Sequence, residues 1–346
     1  MTDRPIFPKR RIARAALSVS ELGFGAASLG NLYQPVSDAD ARATLEAALG
    51  AGLDYVDTAP HYGFGLSERR VGDVLRGRDD YVLSTKVGRL LTPLPNHRGD
   101  AERSGFRTPM PFEPRFDYSY DAIMKSWEQS LQRLGLARVD ILYVHDIGRV
   151  THGDRHDATF AQLTKGGGFR ALEELRSGKA IAAFGLGVNE WQICLDAMDH
   201  ADLDVILLAG RYTLLEQEAI DPFLVRCAER DVSIVIGGAF NSGILATGTR
   251  GTVTPHFNYE PAPEPILDRV RCIEAVCDDF GVTLAAAALQ FPLAHPNVVS
   301  VIPGLGNVRR IQQTLGLYRE PIPQDFWTAL REASLLRPDV PVPAGA

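Results

Sequence analysis

Four titratable side chains stand at the ends of three apolar runs, or just beyond them. LDYVDT (53–58) carries Asp57, with Tyr62 in the turn that follows; YVLSTKV (81–87) carries Lys86; VDILYVHD (139–146) carries His145. Each alone has an ordinary explanation: a helix cap, a loop aromatic, a surface ammonium, a core imidazole. Their coincidence at equivalent places in successive segments points to one site. A free phenol, with pKa about 10, is a poor base at neutral pH. A neighbouring ammonium is expected to favour phenolate and lower that value, and a carboxylate paired to the ammonium holds it in place. A histidine beside the phenol can hydrogen-bond the same substrate oxygen. Such a set moves one proton on or off an alcohol or carbonyl oxygen. It has no electron sink, so redox chemistry there requires a bound cofactor.

The segments that must position these residues recur in a regular order. LGFGAA (22–27), the three runs above, IAAFGLGV (181–188), DVILLAG (204–210), VSIVIGGAF (232–240) and VVSVIPG (298–304) read as eight short buried strands. They are β-branched, nearly continuous in hydrophobicity, and bounded by Gly, Asp or Pro. Helical stretches lie between them, at 38–52, 119–135, 169–179, 216–230 and 265–281. Gly52, Gly135 and Gly281 are placed as C-terminal stops, and Ser37 and Ser119 as N-caps. Eight strand–helix units predict an α/β protein, a (β/α)8 TIM barrel in one domain (1–346, core about 17–335). A doubly wound sheet would carry G-x-G-x-x-G after its first strand. Gly185–Gly187 and Gly304–Gly306 are only fragments of that pattern, and no P-loop occurs. Residues 88–118, 146–168 and 241–263 are long connections at the strand-exit rim, where barrel active sites lie.

Composition narrows the function classes. The 346 residues are 45% hydrophobic and 23% charged, which excludes wholesale disorder and fibrous repeats. A net charge of -7 argues against a nucleic-acid binder. No apolar run approaches the roughly 18 residues of a membrane span, and no targeting segment is evident, so a cytoplasmic protein is expected. Cys194, Cys227, Cys272 and Cys277 suggest ordinary thiols rather than disulfides or a metal clip. Nothing in the pattern assigns an oligomeric state.

GLDYVDTAPHYGFGLSE (52–68) resembles the first signature of the aldo-keto reductases; LSTKVG matches the family lysine and DILYVHD the family histidine. The likeness runs from about Leu22 to Gln313. It implies Tyr62 as general acid/base, Asp57 and Lys86 tuning it, and His145 orienting the substrate oxygen. It also implies a nicotinamide dinucleotide lying across the barrel mouth. Asn189 would meet the carboxamide, Phe240 and Ser242 would flank the pyrophosphate, and Gly304, Gly306, Arg310 and Gln313 would face the adenosine side. Gly25, Ala26 and Asp57 complete the expected cofactor set, with no metal.

Three departures from that family are visible. Gly304 stands where many members have a lysine that pairs with the 2′-phosphate, which favours NAD over NADP, although Arg310 remains. Gly237 replaces an aromatic that stacks on the nicotinamide, and Ala209 a glutamine on its carboxamide, so another group must wall that pocket. LLAGRYTLLEQ and AFNSGILATG resemble the aldose 1-dehydrogenase branch, which includes L-fucose and D-threo-aldose dehydrogenases, with pyridoxal 4-dehydrogenase closely similar. The resemblance implies oxidation of a cyclic hemiacetal, first an aldose such as L-fucose, to its lactone. Arg98, Arg107, Arg115, His152 and Arg155 are the candidate sugar contacts; Phe106, Phe112, Phe116 and Phe257 are candidate walls for a pyridoxal-like ring. Two rivals stand beside this reading. One is a non-catalytic dinucleotide sensor. The other is a metal hydrolase using His61, His145 and Asp146, although neither H-x-H nor H-E-x-x-H occurs.

Overall fold

The computed structural model describes residues 7–96, 102–252 and 254–344. Eight parallel strands follow the order of the apolar runs: β1 (Phe24–Gly25), β2 (Tyr55–Asp57), β3 (Val82–Val87), β4 (Ile141–His145), β5 (Ala183–Val188), β6 (Val205–Ala209), β7 (Ser233–Gly237) and β8 (Val298–Ile302). Each pairs with its sequence neighbour, and parallel bridges Leu22↔Val301 and Gly25↔Gly304 join the first strand to the last. The (β/α)8 barrel expected from the alternation is therefore the fold. The first strand is shorter than the 22–27 run suggests, because β1 and β8 meet through bridges rather than a continuous ladder.

Helices wrap the outside: α1 (Asp38–Gly50), α2 (Leu66–Leu75), α3 (Tyr120–Leu134), α4 (Gly168–Ser177), α5 (Gln192–Met198), α6 (Phe223–Glu229), α7 (Glu264–Phe280), α8 (Leu284–Gln290), α9 (Val308–Arg319) and α10 (Gln324–Glu332). The Ser37 hydroxyl accepts from the Asp40 N–H at 3.0 Å, as an N-cap should. Ser119 occupies the N-cap position of α3, but its hydroxyl donates to Asp117 instead. Gly135 and Gly281 end α3 and α7 in the left-handed conformation. The helix expected over 216–230 is broken into a 3-10 turn, Glu218–Ile220, and α6 after Pro222. Proline lacks the N–H that a continuous helix would need there.

Period-two alternation sorts the strand side chains. Val56, Leu83, Val87, Leu142 and Val144 point outward into the main core beneath the helices. Tyr55, Val82, Ile141, Tyr143 and Val205 point inward, where Ile12 and Val19 of an N-terminal hairpin (Lys9–Arg11 with Ser18–Ser20) close the barrel floor. Asp57, Lys86 and His145 belong to that inward set and are its last members before the exit rim. Sealing the floor with apolar side chains leaves the rim as the open end. Among the described residues, no helix is long and apolar enough to cross a membrane.

Candidate active site

Lys86 Nζ donates to Asp57 Oδ2 at 2.5 Å and to the Thr58 carbonyl at 3.0 Å, and lies 4.7 Å from the Tyr62 ring centroid. The Lys86 stem crosses the barrel against β5. A Cβ on Gly187 would stand 3.3 Å from Lys86 Cε, so the absence of a side chain there makes room for it. Tyr62 opens a single 3-10 turn, Tyr62–Gly65, stapled to the loop after β1. Gly63, at φ +64°, approaches Gly30 so closely that a Cβ would meet the Gly30 oxygen at 2.5 Å. Behind the turn, buried Glu68 accepts from Thr85 Oγ1 at 2.7 Å and Arg133 Nε at 2.6 Å, tying α2 to β3 and α3. The aromatic planes of Tyr62 and His145 meet edge-on, 6.1 Å apart. The structure thus brings together all four residues singled out at the strand ends.

Beneath the ion pair runs a polar column. Ser84 Oγ donates to Asp57 Oδ1 at 2.7 Å, and the Tyr55 hydroxyl contacts Ser84 Oγ at 3.1 Å and the Tyr143 hydroxyl at 2.9 Å. Both Asp57 oxygens are therefore engaged.

The electrostatics correct one expectation. Burial pushes the Tyr62 phenol up to about 12; Lys86 opposes the rise and Asp57 adds to it. The ammonium was expected to dominate, but loss of solvation around a phenolate outweighs it and the carboxylate offsets its charge. Burial pulls the Lys86 ammonium down, yet Asp57 and Tyr62 together lift it above the ordinary lysine value. Burial raises the Asp57 carboxyl against the opposing pull of Lys86. His145 is held well below the usual imidazole range by burial, then by Arg89 and Lys86. His61 is lowered to about 3 by the same causes. The site at neutral pH thus holds a neutral phenol and neutral imidazoles beside one ammonium. That set can donate hydrogen bonds to an oxygen, and can give it one proton.

A second charge pair lies in the same cavity. Arg89 pairs with Asp146, whose other oxygen accepts from Asn189 Nδ2 at 3.1 Å. Arg211 Nε in turn donates to the Asn189 carbonyl at 2.7 Å. Sequence reasoning missed Arg89. It opens a ribbon, Arg89–Pro93 paired with Phe112–Phe116, inside what reads as a loop, and its guanidinium stacks 4.8 Å from the Phe116 ring. The one available signal was an arginine three residues after a candidate catalytic lysine at a strand end.

The cavity holding Tyr62, Lys86 and His145 has a volume of about 470 Å³. Its walls include Phe106, Tyr33, Tyr259, Leu207 and Ala209. Of the four expected aromatic walls only Phe106 lines it. Phe116 lies behind Arg89, Phe112 lies in the ribbon, and Phe257 is buried in the core. None of the described sugar-contact candidates lines it either. Arg107 pairs with Glu102 and Arg115 with Asp117, Arg155 is exposed, and His152 is buried against Tyr118. Arg98 lies outside the described residues. Leu207 packs beside Gly237, where the expected aromatic is missing, and Tyr259, carried by the 241–263 connection, adds wall to the cavity that Ala209 lines in place of the expected glutamine.

A second cavity of about 920 Å³ lies on the same rim, past the ends of β7 and β8. Phe240, Gly304, Arg310 and Gln313 line it, as does Arg309, which sequence reasoning passed over. Asn307 caps α9, its Oδ1 accepting from the Arg310 N–H at 2.9 Å. Arg309 and Arg310 have no ion-pair partner among the described residues, and such cations beside a helix N-terminus suit an anionic ligand such as a phosphate. Among the described residues nothing lies within 4 Å of a Cβ placed on Gly304, so the chain is open to close approach there. These residues fit the phosphate-bearing part of a dinucleotide. Asn189 lines the first cavity, beside the tetrad. The other cofactor candidates stand on the rim outside both linings. Gly25 bridges Gly304, Ala26 is buried with its carbonyl accepting from Ser67, the Ser242 hydroxyl accepts from the Tyr259 N–H, and Gly306 faces Ser28. Among the described residues, no group of three or more His, Cys, Asp or Glu is placed to hold a metal ion.

Residues 21–335 match the family model described as Aldo/keto reductase family. The chain is 48% identical to pyridoxal 4-dehydrogenase of Microbacterium luteolum, over 95% of this chain and 98% of that protein. It is 41% identical to D-threo-aldose 1-dehydrogenase of a Pseudomonas species, over 94% and 97% of the two chains. Among solved structures, a holo-form aldo-keto reductase from Bacillus halodurans superposes with a TM-score of 0.72 at 25% identity, covering 96% of this chain and 98% of that one. The barrel, the tetrad geometry and these likenesses agree: the chain belongs to the aldo/keto reductase family and is an oxidoreductase.

Proposed function

We propose that the protein oxidises a cyclic hemiacetal to its lactone, with NAD or NADP as acceptor, and that the hemiacetal is carried by a pyridoxal-like aromatic ring. One observation carries the choice of ring: the cavity around Tyr62 and His145 is walled by Phe106, Tyr33 and Tyr259, while none of the described loop cations expected to hold a sugar reaches it. Aromatic walls favour a flat ring through stacking and burial. The 48% identity to a pyridoxal 4-dehydrogenase supports the same choice.

In this reading, Tyr62 takes the proton of the hemiacetal hydroxyl as a phenolate and returns it as a phenol in the reverse direction. Lys86, fixed by Asp57, steadies the phenolate. Neutral His145 donates to the reacting oxygen and aligns it with Tyr62. A bound nicotinamide supplies the acceptor for the hydride that leaves the hemiacetal carbon as its C–O bond becomes C=O. Asn189 would hold the carboxamide, and Phe240, Gly304, Arg309, Arg310 and Gln313 the phosphate and adenosine side. The open position at Gly304 favours NAD, and the two arginines leave NADP usable.

An aldose such as L-fucose is the second reading. It is favoured by the 41% identity to D-threo-aldose 1-dehydrogenase and by the polar Arg89–Asp146–Asn189 cluster, which offers contacts for sugar hydroxyls. Initial rates of NAD reduction with pyridoxal, L-fucose, D-arabinose and L-galactose, measured side by side, decide between them. Pyridoxal is expected to give the highest kcat/KM. A sugar that exceeds it selects the second reading, and no turnover with any of the four overturns both.

A further inference from the structure

The geometry points to Arg89 as the residue that selects substrate, by binding an ionised oxygen on the ring beside the hemiacetal carbon. This rests on the cavity being the site of hemiacetal oxidation. The Arg89 side chain is only 9% exposed, yet it lines the cavity with Tyr62, Lys86 and His145. Of its guanidinium, Nη2 meets Asp146 and Nε is sealed from solvent, while Nη1 is neither sealed nor paired among the described residues and is the donor left to the cavity. A charged donor held in a nearly sealed site without an acceptor is under-satisfied, so a ligand that supplies an acceptor gains from the contact. Stacking on Phe116 fixes the plane of the fork, so its free edge does not rotate away.

Asp146 makes the arrangement selective rather than merely positive. It neutralises one edge of Arg89, which lowers the cost of burying the cation, and is itself held by Asn189. The free edge then favours one acceptor oxygen of partial or full negative charge over a bulky dianion. A 3-hydroxypyridine fits this description, because protonation of the ring nitrogen makes the neighbouring hydroxyl acidic. An aldopyranose carries only neutral hydroxyls and gains less from the contact. The same side chain would therefore separate the two substrate classes.

The test uses pyridoxine, which has the ring hydroxyl but no hemiacetal, and its 3-O-methyl ether. Titration calorimetry on the wild-type protein, Arg89→Gln and Arg89→Lys is paired with turnover of pyridoxal. Pyridoxine is expected to bind wild-type protein at least tenfold more tightly than the ether. That preference should vanish in Arg89→Gln and return in part in Arg89→Lys. Equal binding of the two probes, or no binding of pyridoxine, overturns the assignment of Arg89 whatever the turnover shows. A preference lost in Arg89→Gln without turnover of pyridoxal upholds the assignment and overturns pyridoxal as substrate. Turnover of pyridoxal without the preference does the reverse. An unchanged preference in Arg89→Gln also overturns the assignment.

Discussion

Lys86 Nζ and Asp57 Oδ2 stand 2.5 Å apart, with both side chains almost fully sealed from solvent. Breaking such a pair from one side leaves a buried charge without compensation, at a cost of about 3–5 kcal/mol. Lys86→Met is therefore expected to lower the urea midpoint sharply as well as to abolish turnover. The double variant Asp57→Asn/Lys86→Met should regain most of that stability and none of the activity. If the double variant is no more stable than Lys86→Met, the pair is not the source of the loss.

Tyr62 makes a separate prediction about pH. Its phenol is pushed up to about 12, burial being the largest cause. In the proposed mechanism oxidation needs the phenolate, so its rate should climb with pH from neutrality toward alkaline values. Carbonyl reduction needs the phenol, so its rate should hold flat over the same range. Tyr62→Phe should cost on the order of 10² to 10⁴-fold in kcat and leave cofactor affinity unchanged. An oxidation profile that falls between pH 7 and 9, on a protein still folded, would argue that another group is the base.

The polar column under the site is testable by removing single oxygen atoms. Tyr55→Phe leaves the Tyr143 hydroxyl and Ser84 each short of a buried partner. The expected cost is about 1–3 kcal/mol in stability. Ser84→Ala acts differently. It removes a hydrogen bond that holds the Asp57 carboxyl down, so the alkaline rise of the oxidation rate should move while the KM for substrate stays put. A change in KM alone would mean that Ser84 serves packing rather than Asp57.

These cases mark how far sequence alone reaches. The eight strands were legible because buried parallel strands are apolar on both faces and bounded by turn residues. Asp57, Lys86 and His145 were legible because alternation places them at the inward exit of successive strands. Arg89 was not, since its position depends on pairing across the ribbon with Phe116, a contact far away along the chain. Tyr33 and Tyr259 were hidden for a related reason. Both sit at positive φ in loops, where no periodicity reports the direction of a side chain. The acidity of Tyr62 was misjudged because the charges were visible in sequence and the burial was not.

His61 and His145 set the acid limb of stability. Both imidazoles are held down in the folded protein by burial and then by Arg89 and Lys86, His61 to about 3. Unfolded histidines titrate near 6.5. Below that value the unfolded chain binds protons that the folded chain refuses, so the contribution is complete above about pH 6.5 and is lost as pH falls toward 3. The urea midpoint at pH 5 should therefore lie below that at pH 7, and His61→Phe should narrow the gap. An unchanged gap would place the acid sensitivity elsewhere.

Arg309 and Arg310 face the larger rim cavity without an ion-pair partner among the described residues, in a chain whose Gly304 offers no cation. If they meet the 2′-phosphate of NADP, that cofactor alone should depend on them, because NAD carries a hydroxyl there. Arg310→Ala is expected to lower kcat/KM for NADP about tenfold or more and to change the NAD value less than threefold. Adding a cation should act in the opposite sense, with Gly304→Lys raising NADP efficiency. The substitution meets no steric obstacle, since the space around a Cβ at Gly304 is open. Equal losses with both cofactors in Arg310→Ala would show that the arginine holds the shared pyrophosphate instead.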